Sequence, residues 1–191
     1  MTETLAIQLN QCIRSRQSIG VLSEPAPTAQ QLERAFAAAL TAPDHQRLRP
    51  WRFVVIDTAQ RAAFGQILKT ALEATGETEE EALARVEAQP FRAPMIIAAI
   101  LHPAVHPKVP ESEQWLSLGA SVQNLLLQLH AEGLGAIWRS GPLIESQVVR
   151  EAFQCTTEER LAGLIYCGTI SRMPPARVPL QPAEFVSKAV F

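Results

Sequence analysis

Met95-Ile96-Ile97-Ala98-Ala99-Ile100-Leu101, introduced by Pro94, is the stretch on which the fold turns. Seven apolar residues in a row are far too few to span a bilayer. With side chains alternating across a strand, both faces of this segment are apolar. It therefore reads as a central strand buried on both sides. Upstream, WRFVVI (residues 51–56) is a β-rich run and a second strand. Downstream, residues 110–132 carry the strongest helical pattern, with Trp115, Leu118, Val122, Leu125 and Leu129 on one face and Gly133 where a left-handed C-terminal cap belongs. Residues 135–138 read as a short extended segment, 146–153 as a short helix, and 161–167 (LAGLIYC) as another buried strand.

Helices flank this strand set. Leu5, Leu9, Cys12 and Ile13 place a helix over 4–14, ending in a basic turn. Residues 14–28 lack helical periodicity and read as an extended loop. Thr28 suits the N-cap of a helix bearing Leu32, Phe36, Ala39 and Leu40, which stops near Pro43. Residues 58–75 and 77–88 read as two more helices separated by Gly76. Helices first, then strands separated by helices, indicate an α+β or α/β core. Beyond Gly168 the chain reads as an extended, proline-studded tail carrying Val178, Leu180, Phe185, Val186 and Phe191. An apolar tail without a helical pattern needs a surface to lie on, and a partner subunit would supply one.

The 191 residues suit one domain over 1–191. Hydrophobic residues at 47 % and charged residues at 19 % describe a globular chain, and a net charge of −2 lacks the basic excess of a nucleic-acid binder. Cys12, Cys155 and Cys167 form no CxxC pair, and an odd count argues against a disulfide framework. The first sixteen residues lack the charged start and apolar run of a signal peptide, so a cytoplasmic protein outside the membrane is expected. His102 and His106, separated by Pro103, share no helical face as an HExxH pair would, so no metal site is expected. GxSxG, GxGxxG and GxxxxGK[ST] are all missing, which disfavours a serine hydrolase and the Rossmann and P-loop nucleotide sites.

Three loops hold side chains suited to a ligand. Arg16-Gln17-Ser18 follows the first helix. An arginine fork and a hydroxyl suit a phosphate, although a cation at a helix C-terminus is also favoured without any ligand. Pro43 to Trp51 packs polar groups between two prolines, where His45 could meet a heterocycle or a phosphate, or serve only an Asp-His turn. Trp138-Arg139-Ser140-Gly141-Pro142 runs a strand into a turn. It offers a stacking face, a charge and a close backbone approach, or simply a strand end with a core tryptophan and a surface arginine.

Taken in order, these pieces resemble the nitroreductase family of flavoenzymes, most closely its compact bacterial NAD(P)H nitroreductase branch. The resemblance rests on Arg16-Gln17-Ser18, EPAPT (24–28), APDHQRLRPWRFVVI (42–56), FRAPMIIAA (91–99), EQWLSLGASVQNLL (113–126), EGLGAIWRSGPLIES (132–146) and VREAF (149–153). It covers nearly the whole chain. It implies an α+β fold with a mostly antiparallel sheet flanked by helices, in an intertwined homodimer with exchanged C-terminal tails. It implies tightly bound FMN, NADH or NADPH as electron donor, and ping-pong reduction of nitroaromatics, quinones or similar small acceptors.

Position by position, the resemblance assigns Arg16, Gln17 and Ser18 to the ribityl phosphate. It assigns Thr41 and His45 to further polar contacts with the flavin, and Trp138, Arg139 and Ser140 to the backbone strip against the isoalloxazine ring. Residues 128–133 match a segment assigned to the nicotinamide nucleotide. No protein acid or base is needed for hydride transfer, so no catalytic side chain is named. Gln17 replaces the usual arginine or threonine, and Thr41 a position often basic. Both changes remove charge from the phosphate site, with Arg14, Arg47, Arg49 and Arg177 as candidates to compensate. The alternative is a flavin-binding sensor or storage protein, or a cofactor-poor, non-enzymatic homodimer.

Overall fold

Among the described residues, five strands meet in one antiparallel arrangement. The computed structural model describes residues 3–190, so Phe191 of the expected tail lies outside them. In chain order the elements are α1 (Glu3–Ser15), β1 (Leu22–Ser23), α2 (Ala29–Ala39), β2 (Trp51–Ile56), α3 (Arg61–Glu73), α4 (Glu80–Glu87), β3 (Met95–Leu101), α5 (Glu111–Ala131), β4 (Gly135–Arg139), α6 (Gln147–Ala152) and β5 (Arg160–Ile170). The sheet runs β2, β3, β5, and the far edge of β5 carries β4 along residues 164–168 and β1 at 169–170. Every pairing is antiparallel.

The two-faced apolarity of β3 has a direct cause. Met95, Ile97, Ala99 and Leu101 face Leu118, Val122, Leu125 and Leu129 of α5 and Ala35 and Ala39 of α2. Ile96, Ala98 and Ile100 face Phe64 and Leu68 of α3 and Val149 and Phe153 at α6. Helical layers thus cover both faces of an antiparallel sheet, an environment more usual for parallel strands. All seven residues of β3 are buried.

Local chemistry sets the boundaries. Thr28 and Gln31 form a reciprocal capping box at α2, Ser146 accepts from Val149 N at α6, and Gly133 takes φ 79° after α5. α3 and α4 start three residues later than the sequence suggests. Asp57 Oδ1 accepts from Ala59 N at 2.8 Å, and Gln60 Oε1 accepts from Asp57 N at 2.9 Å, which holds a turn there instead. Before α4, Glu77 Oε1 accepts from both Thr78 N and Glu79 N at 2.9 Å. Likewise the chain does not leave the sheet at Gly168. The pairing of Leu22–Ser23 with Ile170 and Thr169 prolongs β5, and it places a two-residue strand inside the expected 14–28 loop.

Candidate functional site

The loop after α1 is held against β4, where Ile19 N donates to Ala136 O at 3.0 Å. This places residues 16–18 beside the C-terminal end of α5. Ser15 Oγ lies 2.8 Å from His130 Nε2 and also donates to Cys12 O at 3.3 Å. From the tail, Arg177 Nη2 donates to Arg14 O at 3.1 Å and to Arg16 O. Those carbonyls are the ones a helix C-terminus leaves without partners, so a cation is well placed there.

The charges collected here share one sign. Among the described residues, Arg14, Arg16 and Arg177 form no ion pair with a carboxylate. Burial, and then the charge of Arg177, lower the pKa of Arg16 from its ordinary value. Burial, and then Arg16, lower that of His130. Two clefts flank the cluster. One, of about 330 Å³, is lined by Arg14, Arg177, Val178, Pro179 and Leu180. The other, of about 580 Å³, is lined by Gly20, Val21, Arg172, Met173, Pro174 and Pro175. A half-buried Arg16 with exposed Arg14 and Arg177 around it, beside concave surface, fits an anion such as a phosphate.

The second expected strip adjoins this cluster. The Arg139 guanidinium lies 5.6 Å from the centroid of the Tyr166 ring, within cation–π range. Its Nη2 stands 3.2 Å from where a Cβ on Gly20 would sit, and its buried Nε has no partner among the described residues. Trp138 is pinned by Nε1 donating to Ala162 O at 3.2 Å. A Cβ on Gly163 would fall 2.0 Å from the same indole nitrogen, so glycine is required there. Ser140 is exposed. Gly141 adopts φ 152° and ψ 164°, a region essentially reserved for glycine, with nothing within 4 Å of a would-be Cβ. The strand's end at Trp138 and Arg139 thus runs into a turn whose backbone at Gly141 meets open space.

The other expected residues lie elsewhere on the same chain. Thr41 closes the C-terminal turn of α2, its hydroxyl donating to Ala38 O at 2.8 Å, with Asn124 Nδ2 3.5 Å away. His45 Nδ1 pairs with Glu113 Oε2 at 2.7 Å. Glu113 and His130 are seventeen residues apart on α5, or about 25 Å at 1.5 Å rise per residue. Arg47 and Arg49 sit in the His45 loop, whose amides at Leu48 and Arg49 donate to Asp44. Of the four arginines weighed as compensation, Arg14 and Arg177 join Arg16, and Arg47 and Arg49 stay with His45. Within residues 128–133, Gln128 donates to Glu132 at 3.0 Å, and Arg34 of α2 donates to Glu132 at 2.8 Å. Those contacts tie α5 to its neighbours.

Sequence reasoning missed one polar centre. Glu159 is 2 % exposed and is gripped by Arg52 Nε and Nη2 at 2.7 and 2.9 Å, by His102 Nδ1 at 2.9 Å and by Thr156 N at 3.0 Å. The Arg52 hydrogen bonds lead in holding its pKa down to about 2. It lies at the far end of β5 from Arg16, and its partners span residues 52 to 156, so no local motif announces it. A cleft of about 470 Å³, with Pro103, His106, Gln114, Thr157, Glu158 and Arg160 in its lining, contains none of the expected site residues.

The family model described as "Nitroreductase family" matches residues 13–169. The chain belongs to the nitroreductase family. A relative named "Putative NAD(P)H nitroreductase YdjA" from Escherichia coli strain K12 is 41 % identical over 155 residues, covering 81 % of this chain and 84 % of that protein. A "Putative NAD(P)H nitroreductase" from Haemophilus influenzae is 37 % identical, covering 82 % and 85 %. Among solved structures, a nitroreductase-like protein from Bacillus cereus shares the fold at TM-score 0.82 with 21 % identity, covering 95 % of both chains. One described as a nitroreductase in complex with FMN, from Desulfovibrio desulfuricans, aligns at TM-score 0.72 with 26 % identity, covering 96 % of this chain and 97 % of that one. The nitroreductase fold is thus present, with the antiparallel sheet and helical layers that the resemblance implies. Among the described residues, no helix is long and apolar enough to cross a membrane.

Proposed function

We propose that this nitroreductase-family chain, as one domain over 1–191, is an FMN-dependent oxidoreductase. In this reading it passes hydride from NADH or NADPH to nitroaromatic, quinone or similar small acceptors in a ping-pong cycle. The flavin, when bound, supplies the redox chemistry, and the protein supplies binding, orientation and electrostatics. The observation that carries the reading is the cluster of Arg14, Arg16 and Arg177 with His130, in which no arginine has a carboxylate ion pair among the described residues, together with the turn that is open at Gly141. The cluster suits the phosphate, with Arg16 and Ser18 in reach and Gln17 adding no charge. Trp138, Arg139, Ser140 and Gly141 suit the flat ring.

Thr41 and His45 enter only if a second subunit brings them. Support for a homodimer comes from the apolar residues a single chain leaves exposed. Leu5, Leu9 and Ile13 on α1, Leu116 on α5, and Val178, Leu180, Phe185 and Val186 on the tail are all in this class. Arg177 anchors the start of that tail, and the residues after it are free to lie on a partner.

Absorbance of the purified protein tests the proposal. A flavin spectrum bleached by NADH or NADPH without air, and restored by a quinone or nitroaromatic, is the expected result. A flavin spectrum indifferent to both nucleotides would favour a sensor or storage protein. A colourless protein that ignores added FMN would refute the flavoenzyme reading.

A further inference from the structure

We propose that His130 is a proton-dependent cation of the phosphate subsite, taking up one proton from solvent as the FMN phosphate docks beside Arg16. The inference rests on the placement of the phosphate given above and extends it to a residue that lies outside the Arg16-Gln17-Ser18 motif.

The geometry fixes which nitrogen is open. Nε2 is engaged by Ser15 Oγ at 2.8 Å, and Nδ1 has no hydrogen-bond partner among the described residues. The neutral ring carries one hydrogen and has room for a second, which makes both nitrogens donors. Ser15 of α1 contacts the ring, with Cys12 O on the far side of its hydroxyl, Arg16 from the following loop acts on it by charge and, behind it on the Arg14 and Arg16 carbonyls, stands Arg177 from the tail. On α5 itself the nearest charge is Glu132, which Arg34 of α2 already holds at 2.8 Å. Every uncommitted charge near His130 is therefore positive, and without an anion the ring is kept neutral by burial and by Arg16. A phosphomonoester is close to a dianion above a pKa of about 6 and reverses that balance. The site would then offset the positive charge missing at Gln17 with one that exists only when the ligand is present.

The test is proton counting. FMN and riboflavin are titrated calorimetrically into the flavin-free full-length protein at about pH 7.5, in buffers of different ionisation enthalpy. The wild type, His130→Gln and His130→Lys are compared. The wild type should take up between about one half and one proton per FMN and close to none per riboflavin. His130→Gln should take up none and bind FMN about tenfold more weakly, with riboflavin affinity unchanged, which also certifies the fold. His130→Lys should keep FMN affinity without proton uptake. Equal proton uptake by the wild type and His130→Gln, or equal uptake with riboflavin, would overturn the role of His130. Equal affinity of the wild type for FMN and riboflavin would instead withdraw the phosphate from Arg16, and the inference with it.

Discussion

Replacing Glu159 by glutamine should remove about 3 kcal/mol of stability near neutral pH and nearly none in strong acid. The carboxylate is buried, accepts two hydrogen bonds from Arg52 and one from Thr156 N, and has its pKa held to about 2. An unfolded glutamate titrates near 4.3, so the folded form is favoured by roughly 2.3 pH units at about 1.36 kcal/mol each. The folded pKa is depressed, so this stabilisation is fully present above the unfolded value and is lost as pH falls toward 2. At pH 3, linkage leaves about 1.4 kcal/mol. Glutamine keeps the shape and one acceptor but strands the Arg52 charge, which is costly where water is scarce. Urea unfolding of both proteins at one protein concentration, at pH 7, 5 and 3, reads the difference directly. A gap between wild type and variant that stays constant across these pH values would refute the charge-based account. A gap below about 0.5 kcal/mol at pH 7 would show Arg52 and Glu159 to be a surface-grade pair.

Two further outcomes follow from the cationic cluster and the tail. Gln17→Arg adds a permanent charge beside Arg14, Arg16 and Arg177, so FMN should bind more tightly by on the order of 1 kcal/mol at low salt. The gain should shrink as salt screens it and be absent for riboflavin, as paired fluorescence titrations would show. Ending the chain after Arg177 keeps the cap on α1 but removes Val178, Leu180, Phe185 and Val186, each exposed in the single chain. The truncated protein should therefore keep its subunit fold while its dimer weakens, read as a concentration-dependent drop in mass by light scattering. An unchanged mass at all concentrations would argue that the tail covers nothing.

Much of the architecture was legible because its signals are local. The helical stripe through Leu118, Val122, Leu125 and Leu129 is buried at the period of its own backbone, the apolar run 95–101 is buried at every position, and the run 51–56 announced itself by its β-rich composition. The caps at Thr28, Ser146 and Gly133 are local as well. Helix starts were less legible. Asp57 and Glu77 each hold neighbouring amides in a turn, and such side-chain competition is invisible to periodicity. The ordered string of short motifs was enough to point to the nitroreductase family.

Tertiary structure decided how the site is put together. Sequence order cannot say that Arg177, from the far end of the chain, closes the C-terminal end of α1, or that His130 meets Ser15 across 115 positions. Nor can it say that His45 sits at the opposite end of α5 from Arg16 and that Glu159 draws together Arg52 and His102. Periodicity reports which side of its own element a residue occupies. Electrostatic fields and ligand sites depend on which elements are neighbours, and only the packing of α1, α5 and the tail around β4 sets that. The sequence determined a helix-flanked set of strands, an α+β or α/β core, carrying an Arg-x-Ser loop, and its resemblance to the family implied that the sheet is antiparallel. The packing decided that the charge of Arg14 and Arg16 is joined by Arg177 and a histidine and is ion-paired with no carboxylate among the described residues, because only long-range contacts bring the tail and α5 to the end of α1.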